Sequence, residues 1–168
     1  MIRLKQPALA LHSCDVPGYH YKMQTTWVMH ENATARNVAY WIDLAIKNSA
    51  NQRLENVVIN CHGTPGFLHV GGSWKGFGIE GIEYFKQIKG KVGKIWLVAC
   101  NVAESHDFCT KLAKAADCMV IAGKDVQYVN GIYDFFRPHF FIDDYETGLY
   151  FTQYGEIGCF YNQLGKEL

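Results

Sequence analysis

The stretch from residue 57 to residue 100 constrains the fold more than any other part of the chain. It opens with the β-branched apolar run Val57-Val58-Ile59-Asn60 and closes with a second apolar run, Ile95-Trp96-Leu97-Val98-Ala99. A glycine-rich segment and a helical pattern over about residues 82–91 separate the two runs. A strand, a crossover helix and a second strand in this order predict two parallel strands of one sheet.

Two reactive side chains follow these strands. Cys61-His62-Gly63 comes directly after the first run, and Cys100-Asn101 comes directly after the second. A right-handed crossover places the carboxyl ends of both strands at one edge of the sheet. Neighbouring strands lie about 4.8 Å apart, so we expect the imidazole of His62 and the thiol of Cys100 to meet at this edge.

The rest of the chain extends the same α/β pattern. A first strand is predicted over residues 8–12, an edge strand or hairpin arm within residues 19–29, and a fourth sheet strand over residues 118–122. Thr34 and Ser105 are predicted N-caps of two further helices. The fold class is therefore α/β, a mostly parallel sheet with helices on both faces. The aromatic C-terminal segment predicts a loop or short helix at residues 134–138 and a hairpin at residues 149–162 against the sheet edge. No linker or repeat interrupts the pattern, so residues 1–168 are interpreted as a single domain.

Charge and cysteine content narrow the possible partners. Sixteen basic and sixteen acidic residues balance, which gives no support for binding nucleic acid or an anionic membrane. The N-terminus lacks a signal-peptide pattern, and no run is long enough to span a bilayer. The six cysteines match no disulfide scaffold, which is typical of reduced thiols. We expect a cytoplasmic protein, or an effector delivered from the cytoplasm, and the sequence leaves the oligomeric state open.

The two motifs together resemble the caspase-like cysteine peptidases. In that family a His-Gly follows one strand and an Ala-Cys or Gly-Cys follows the next, as His62-Gly63 and Ala99-Cys100 do here. The segment after Cys100 is similar to the post-cysteine helix and strand of the family's bacterial branches. The resemblance implies a caspase-like three-layer sandwich and a peptidase with a His62–Cys100 dyad that needs no third acidic residue. It covers residues 8–126 in the order of elements.

The chemistry of these residue types agrees with that activity. A thiolate is the nucleophile, and a neighbouring imidazolium or helix N-terminus favours its formation. The side-chain-free Gly63 allows its N–H to approach a carbonyl oxygen, so Gly63 and Cys100 are the predicted oxyanion donors. We therefore expect hydrolysis of peptide bonds by acyl transfer to Cys100, with a protein or peptide as the substrate. We expect no cofactor and no metal.

Competing interpretations of the same residues are weaker. Cys61 is an alternative nucleophile, but strand alternation places it with Ile59 on the core side. A zinc site from Cys61, His62, His69 and Cys100 lacks paired ligand spacing. The dinucleotide-binding fingerprint is matched, residue type by residue type, by Gly76-Phe77-Gly78-Ile79-Glu80-Gly81. The fingerprint also requires a strand directly before it and an acidic residue at the end of the next strand, and the sequence has neither. A flexible loop beside the site is the better interpretation of that segment.

Two functional alternatives stay open at this point. One is a catalytically inactive caspase-like domain that serves as a protein-binding or regulatory module. This alternative stays open because a protein can keep its fold after losing its catalytic activity. The other is an unrelated small-molecule binder with a doubly wound sheet. An activated thiol at Cys100 would separate the peptidase from both.

The loops that leave the first and fourth strands carry the candidate substrate-binding residues Asp15 and Asp125. The resemblance implies that acidic residues in these loops go with cleavage after Arg or Lys. A carboxylate pairs well with a guanidinium and repels an acidic side chain. An equally simple interpretation is that both aspartates end strands and bond to local backbone.

Overall fold

The computed structural model describes residues 2–16, 23–124, 126, 150–151 and 159–161. The strands in these ranges are β1 (Ile2–Arg3), β2 (Ala8–His12), β3 (Thr25–Val28), β4 (Leu54–Asn60), β5 (His62–Thr64), β6 (Phe67–His69), β7 (Val92–Val98), β8 (Met119–Ala122), β9 (Tyr150–Phe151) and β10 (Cys159–Tyr161). The α-helices are α1 (Ala35–Asn48) and α2 (His106–Ala116). Two 3-10 helices complete the set, η1 (Ile79–Ile88) and η2 (Val102–Glu104).

The main sheet has the strand order β10-β8-β7-β4-β2-β3. Neighbouring strands from β8 to β3 are parallel, and β10 runs antiparallel to β8. β4 and β7 are adjacent, with Asn60 opposite Val98. The predicted α/β class and mostly parallel sheet are confirmed, and the carboxyl ends of β2, β4 and β7 share one edge. We call this edge of the sheet the site edge.

The helices in the described part of the chain lie on one face of the sheet. From β3 onward the chain adds strands in one direction, through α1 to β4, through η1 to β7 and through α2 to β8. Right-handed crossovers that progress in one direction place their helices on the same face. Accordingly η1 packs against both α1 and α2. The prediction of helices on both faces is wrong for the described residues.

The opposite face of the sheet buries a separate apolar cluster. Met23 and Leu4 pack there against side chains from four strands. The other buried members are Ala8, Ala10, Val58, Trp96, Val98 and Ile121. Both faces of the central strands are therefore out of water, which explains why β4 and β7 are continuous apolar runs rather than alternating ones.

The predicted helix over residues 82–91 forms as the 3-10 helix η1 and begins and ends earlier, at Ile79 and Ile88. Its buried apolar residues Ile82, Phe85 and Ile88 recur at every third position, and this spacing matches three residues per turn. Phe85 is fully buried, which stabilises the fold by roughly 1.5–3 kcal/mol relative to an exposed ring. A three-residue period thus keeps one face of η1 continuously against the core.

Both predicted N-caps are confirmed. The Thr34 hydroxyl accepts from the Asn37 N–H, and the Asn37 side chain accepts from the Thr34 N–H, which is a capping box at the start of α1. The Ser105 hydroxyl accepts from the Phe108 N–H at the start of α2. Each cap satisfies backbone donors that the first helical turn leaves unpaired.

The C-terminal strands do not form the predicted hairpin. β9 pairs antiparallel with β1, Ile2 lying opposite Phe151. β10 pairs antiparallel with β8 at the edge of the main sheet, so only this arm lies where the prediction placed it. The predicted loop or short helix at residues 134–138 lies outside the described residues.

Candidate active site

The site edge is built by chain segments that continue the sheet beyond its strands. The Ser13 N–H donates to the Asn60 carbonyl at 2.8 Å, and the Cys61 N–H donates to the Val98 carbonyl at 3.2 Å. The chain then leaves β4 into the β5–β6 hairpin, whose turn contains Pro65 and Gly66, the latter at φ 69°. His62 opens this hairpin, so its position is fixed by the sheet on one side and by the hairpin on the other.

His62 is oriented by a backbone carbonyl. Its Nε2 lies 3.2 Å from the carbonyl oxygen of Asp15, in the loop that follows β2. A carbonyl oxygen only accepts hydrogen bonds, so Nε2 carries the proton and Nδ1 of the neutral ring is the acceptor. Nδ1 is therefore the nitrogen that can take a proton from a nucleophile. The structure thus supplies an orienting group for His62 that the sequence does not reveal.

Gly63 brings the two predicted motifs into direct contact. A Cβ built on Gly63 would lie 2.6 Å from the Cys100 carbonyl oxygen, 2.7 Å from Val102 Cγ2 and 2.9 Å from Ala99 Cβ. These separations leave no room for a side chain, which explains glycine at this position. The His62-Gly63 backbone consequently packs on the Ala99-Cys100 backbone, as the strand order predicts.

Cys100 is half-buried and stands at a sharp change of backbone direction. The next residue, Asn101, has φ 57°, in the left-handed region that non-glycine residues seldom adopt. Asparagine tolerates that region better than most residues. The chain therefore turns out of β7 directly after Cys100.

The helix predicted to follow Cys100 forms. However, its N-terminus lies too far along the chain from Cys100 for the helix to act directly on the thiol. The 3-10 turn η2 separates Cys100 from α2, whose N-cap is Ser105. The field of a helix dipole is concentrated in its first turn. Any activation of the Cys100 thiol would therefore come from His62 more than from α2.

Cys61 is confirmed as a core residue. It is 5% exposed and packs in the cluster that contains Ile59 and the helices. Burial first, and the neighbouring Cys100 second, raise the pKa of the Cys61 thiol far above its ordinary value. A thiol that stays protonated is a poor nucleophile, so Cys61 is not a competitor for Cys100.

A tryptophan that the sequence analysis did not single out lies against His62. The rings of Trp74 and His62 have centroids 5.3 Å apart with a tilt of 30°. The Trp74 ring also meets His69 edge-on at 5.0 Å. Trp74 is 65% exposed, although it is the largest side-chain type. A lone tryptophan in the glycine-rich segment Gly71-Gly72-Ser73-Trp74 is the signal that would have identified it.

The loop that carries Trp74, residues 71–75, is fixed from two sides. The Ser73 N–H donates to Asp15 Oδ2 at 2.8 Å, and the Gly72 N–H donates to the Glu31 carbonyl at 2.8 Å. His69 Nδ1 lies 2.8 Å from the Trp74 carbonyl oxygen. The loop and His62 are thereby tied to the same residue, Asp15.

The two predicted substrate-binding aspartates have different outcomes. Asp15 lies at the site edge and is exposed, and its carboxylate supports the Trp74 loop as described above. The carboxylate therefore bonds to backbone, but to a loop 58 positions away rather than to the local backbone that the alternative interpretation predicts, and a pocket role for Asp15 stays a prediction. Asp125 lies outside the described residues.

The glycine-rich segment at residues 76–81 serves the fold. A Cβ on Gly76 would lie 1.8 Å from the Leu68 carbonyl oxygen, because the chain pairs there with β6 through Phe77. The Gly78 N–H donates to Glu80 Oε1 at 2.7 Å. A carboxylate thus occupies the place at the start of η1 where a fingerprint loop would present N–H groups to a phosphate.

No group of three or more His, Cys, Asp or Glu side chains with the arrangement of a metal site occurs among the residues that the structure describes. His69 makes contacts within the site edge through both ring nitrogens. Its Nδ1 faces the Trp74 carbonyl, and its Nε2 lies 3.4 Å from Thr64 Oγ1. His69 therefore supports the β5–β6 hairpin and the Trp74 loop.

A buried polar pair lies beneath the site edge. Asn60 Nδ2 lies 3.0 Å from His12 Nδ1, and both residues are buried. Because an amide nitrogen only donates, His12 Nδ1 accepts in this pair. The pair joins the carboxyl ends of β2 and β4, from which the Asp15 loop and His62 depart.

Comparison with models of known protein families, with curated proteins and with solved structures finds no match to this chain. Within the described ranges, none of the helices combines the length and apolar character that crossing a bilayer requires. Cys14, Cys61, Cys100, Cys109 and Cys118 form no disulfide bonds among the residues that the structure describes.

Proposed function

We propose that this protein is a cysteine endopeptidase with a caspase-like fold. The observation that supports the proposal is the packing of Gly63 on the Cys100 backbone, at the point where the chain leaves the adjacent parallel strands β4 and β7. Open α/β sheets place ligands and chemistry at that edge. The orientation of His62 by the Asp15 carbonyl adds to it.

The proposed reaction is acyl transfer followed by hydrolysis. His62 Nδ1 takes the thiol proton of Cys100, and the thiolate sulfur attacks the carbonyl carbon of the scissile peptide bond. The N–H groups of Gly63 and Cys100 donate to the oxyanion of the tetrahedral intermediate. His62 then protonates the leaving amine, and water hydrolyses the thioester to release the acid and restore the thiol.

The proposed substrate is a protein or peptide, and the proposed location is the cytoplasm or a cell that receives the protein from it. Asp15 and Asp125 are proposed to contribute to a pocket for Arg or Lys before the scissile bond. Lys124 is the only cation in these two loops, so a preference for aspartate has no support. A carboxylate facing a guanidinium gives a charge-assisted pair.

Cleavage of a peptide library by the purified protein tests this function. We expect cleavage that is lost in Cys100→Ala and in His62→Ala and is retained in Cys61→Ala. A preference for Arg or Lys that is unchanged in Asp15→Ala and Asp125→Ala would remove both aspartates from the pocket. Cleavage that survives Cys100→Ala would refute the peptidase mechanism. A folded protein that cleaves no peptide would favour the inactive binding module.

A further inference from the structure

Trp74 combines features that a purely structural residue rarely has. Its side chain is 65% exposed, so most of its apolar surface contributes nothing to the folded core. Its backbone has φ 64°, and that of the preceding Ser73 has φ 55°. Two consecutive non-glycine residues in the left-handed region are conformationally strained. Strain of this kind persists where the surrounding contacts enforce it, and it concentrates at functional sites.

Contacts of the loop hold Trp74 in one place. Asp15 and Glu31 bind the loop backbone at Ser73 and Gly72, and the Gly71 N–H donates to the Lys75 carbonyl at 2.9 Å. An indole that is already immobilised loses little conformational entropy when a ligand covers it. Trp74 is thus presented to solvent as a rigid apolar surface.

The surroundings of Trp74 determine which chemistry it would accept. Its ring neighbours are the imidazoles of His62 and His69, and Phe67 stacks on His69 with centroids 4.8 Å apart. These rings form a continuous aromatic surface across the β5–β6 hairpin and the loop that carries Trp74. In the proposed mechanism His62 becomes an imidazolium, which repels a second cation placed on the same indole. An aromatic or large aliphatic side chain meets no such penalty and gains by burying apolar area.

We propose that Trp74 is a specificity-determining residue, against which an aromatic or large aliphatic side chain of the substrate stacks within two residues of the scissile bond. This inference rests on the proposed peptidase function. Trp74 lies against His62, and in the proposed mechanism His62 acts on the reacting groups, so a side chain stacked on the indole would lie beside the scissile bond. The assigned subsite is separate from the pocket proposed for Arg or Lys.

Three acetylated dipeptide chloromethyl ketones test the assignment, with the sequences Phe-Gly, Gly-Phe and Gly-Gly. Each alkylates a thiolate with release of chloride, and the labelling of Cys100 is followed by peptide mapping. The quantity compared is the ratio of each phenylalanine label's rate to the Gly-Gly rate within one variant. This ratio cancels any change in the intrinsic reactivity of the thiol.

We expect the Phe-Gly label, whose phenylalanine lies one residue before the position proposed for Arg or Lys, to modify Cys100 roughly tenfold faster than Gly-Gly does, a factor that corresponds to burying about half of an aromatic side chain. Trp74→Ala should bring that ratio close to one, and Trp74→Phe should keep most of it. Tyr84→Ala, which truncates another exposed aromatic residue away from the site edge, should leave the ratio unchanged.

The outcomes separate this inference from the function on which it rests. A ratio that is the same in the native protein and in Trp74→Ala overturns the assignment of Trp74 and leaves the peptidase proposal standing. If the native protein shows no preference for phenylalanine, the assignment of Trp74 is likewise overturned and the peptidase proposal still stands. Labelling of Cys100 that is no faster than that of Cys14 and is insensitive to His62→Ala overturns the peptidase proposal, and the assignment of Trp74 falls with it.

Discussion

Replacing Gly63 by alanine is the substitution that most sharply tests the packing of the two motifs. The added Cβ would lie 2.6 Å from the Cys100 carbonyl oxygen, and ordinary contact begins at 3.4 Å. The oxygen or Gly63 must therefore move by about 0.8 Å. Two of the three colliding neighbours, the Cys100 carbonyl and Ala99 Cβ, belong to the backbone or its first side-chain atom and cannot rotate away.

The expected cost has two parts. Overpacking of this kind destabilises a protein by about 1–3 kcal/mol, so urea denaturation should show a loss of about 2 kcal/mol. A displacement approaching 1 Å at a reacting group costs about 100-fold in rate, so the alkylation rate of Cys100 and any peptidase rate should fall by about that factor. The folded protein should keep its far-UV circular dichroism spectrum.

Gly90→Ala is the matched control. Gly90 has φ 71°, and a Cβ built on it would lie 3.7 Å from its nearest neighbour, Asp117 Oδ2. The substitution should cost about 1–2 kcal/mol through backbone strain alone and leave the reactivity of Cys100 unchanged. Full rescue of Gly63→Ala by Val102→Ala would refute the reasoning, because it would assign the whole collision to a side chain.

Three further predictions concern stability. Asp117 ends α2 with φ 52° and ψ 51°, so Asp117→Gly should raise the free energy of unfolding by about 1 kcal/mol, and no gain in urea denaturation would contradict the strain. Thr34→Ala removes the hydroxyl of the capping box and should cost about 1 kcal/mol, whereas an unchanged urea midpoint would show that the cap adds nothing. Burial, with Asp117 second, raises the pKa of Cys118 from 9.0 to about 12. The stability that this protonated thiol contributes is complete below pH 9 and is lost as the pH rises from 9 toward 12, by about 1.4 kcal/mol per pH unit. Cys118→Ala should make the fall in stability shallower by that amount, and equal slopes would refute the assignment.

The sequence predicts the site edge because the relevant signals are local. The short apolar runs Val57-Val58-Ile59 and Ile95-Trp96-Leu97-Val98-Ala99 define β4 and β7, and their length leaves room only for strands. The residues after each run then follow from the parallel crossover. Period-two alternation also places Cys61 in the core. Each of these inferences uses residues within a few positions of one another.

The errors arise where pairing or spacing is not encoded locally. Ile82, Phe85 and Ile88 at three-residue intervals fit one face of either an α-helix or a 3-10 helix, and tertiary packing selects the latter. The position of the helices on one face depends on the order of strands in the sheet, which no single segment specifies. The partner of β9 is β1, at the opposite end of the chain, and a hairpin prediction considers only neighbours.

The site residues that were missed share the same cause. The contact of Asp15 with His62 joins loops 47 positions apart, and the Asp15–Ser73 hydrogen bond spans 58 positions. Sequence patterns identify the reactive His62 and Cys100 by residue type, while a backbone carbonyl has no sequence signature. The sequence identifies Trp74 as a residue type but does not identify it as a neighbour of His62.

The central claim is that His62 activates Cys100, and the alkylation of thiols by iodoacetamide tests it most directly. Cys14 is the exposed competitor, and partial burial, with the Asp15 carboxylate second, raises the pKa of its thiol, so at neutral pH it should react slowly. Cys61 and Cys118 should stay unmodified while the protein is folded, because burial keeps both protonated. Site mapping between pH 6 and pH 9 should show Cys100 labelled first, at a rate that falls at least tenfold in His62→Ala. Faster labelling of Cys14 or Cys61, or a Cys100 rate that His62→Ala leaves unchanged, would contradict the dyad.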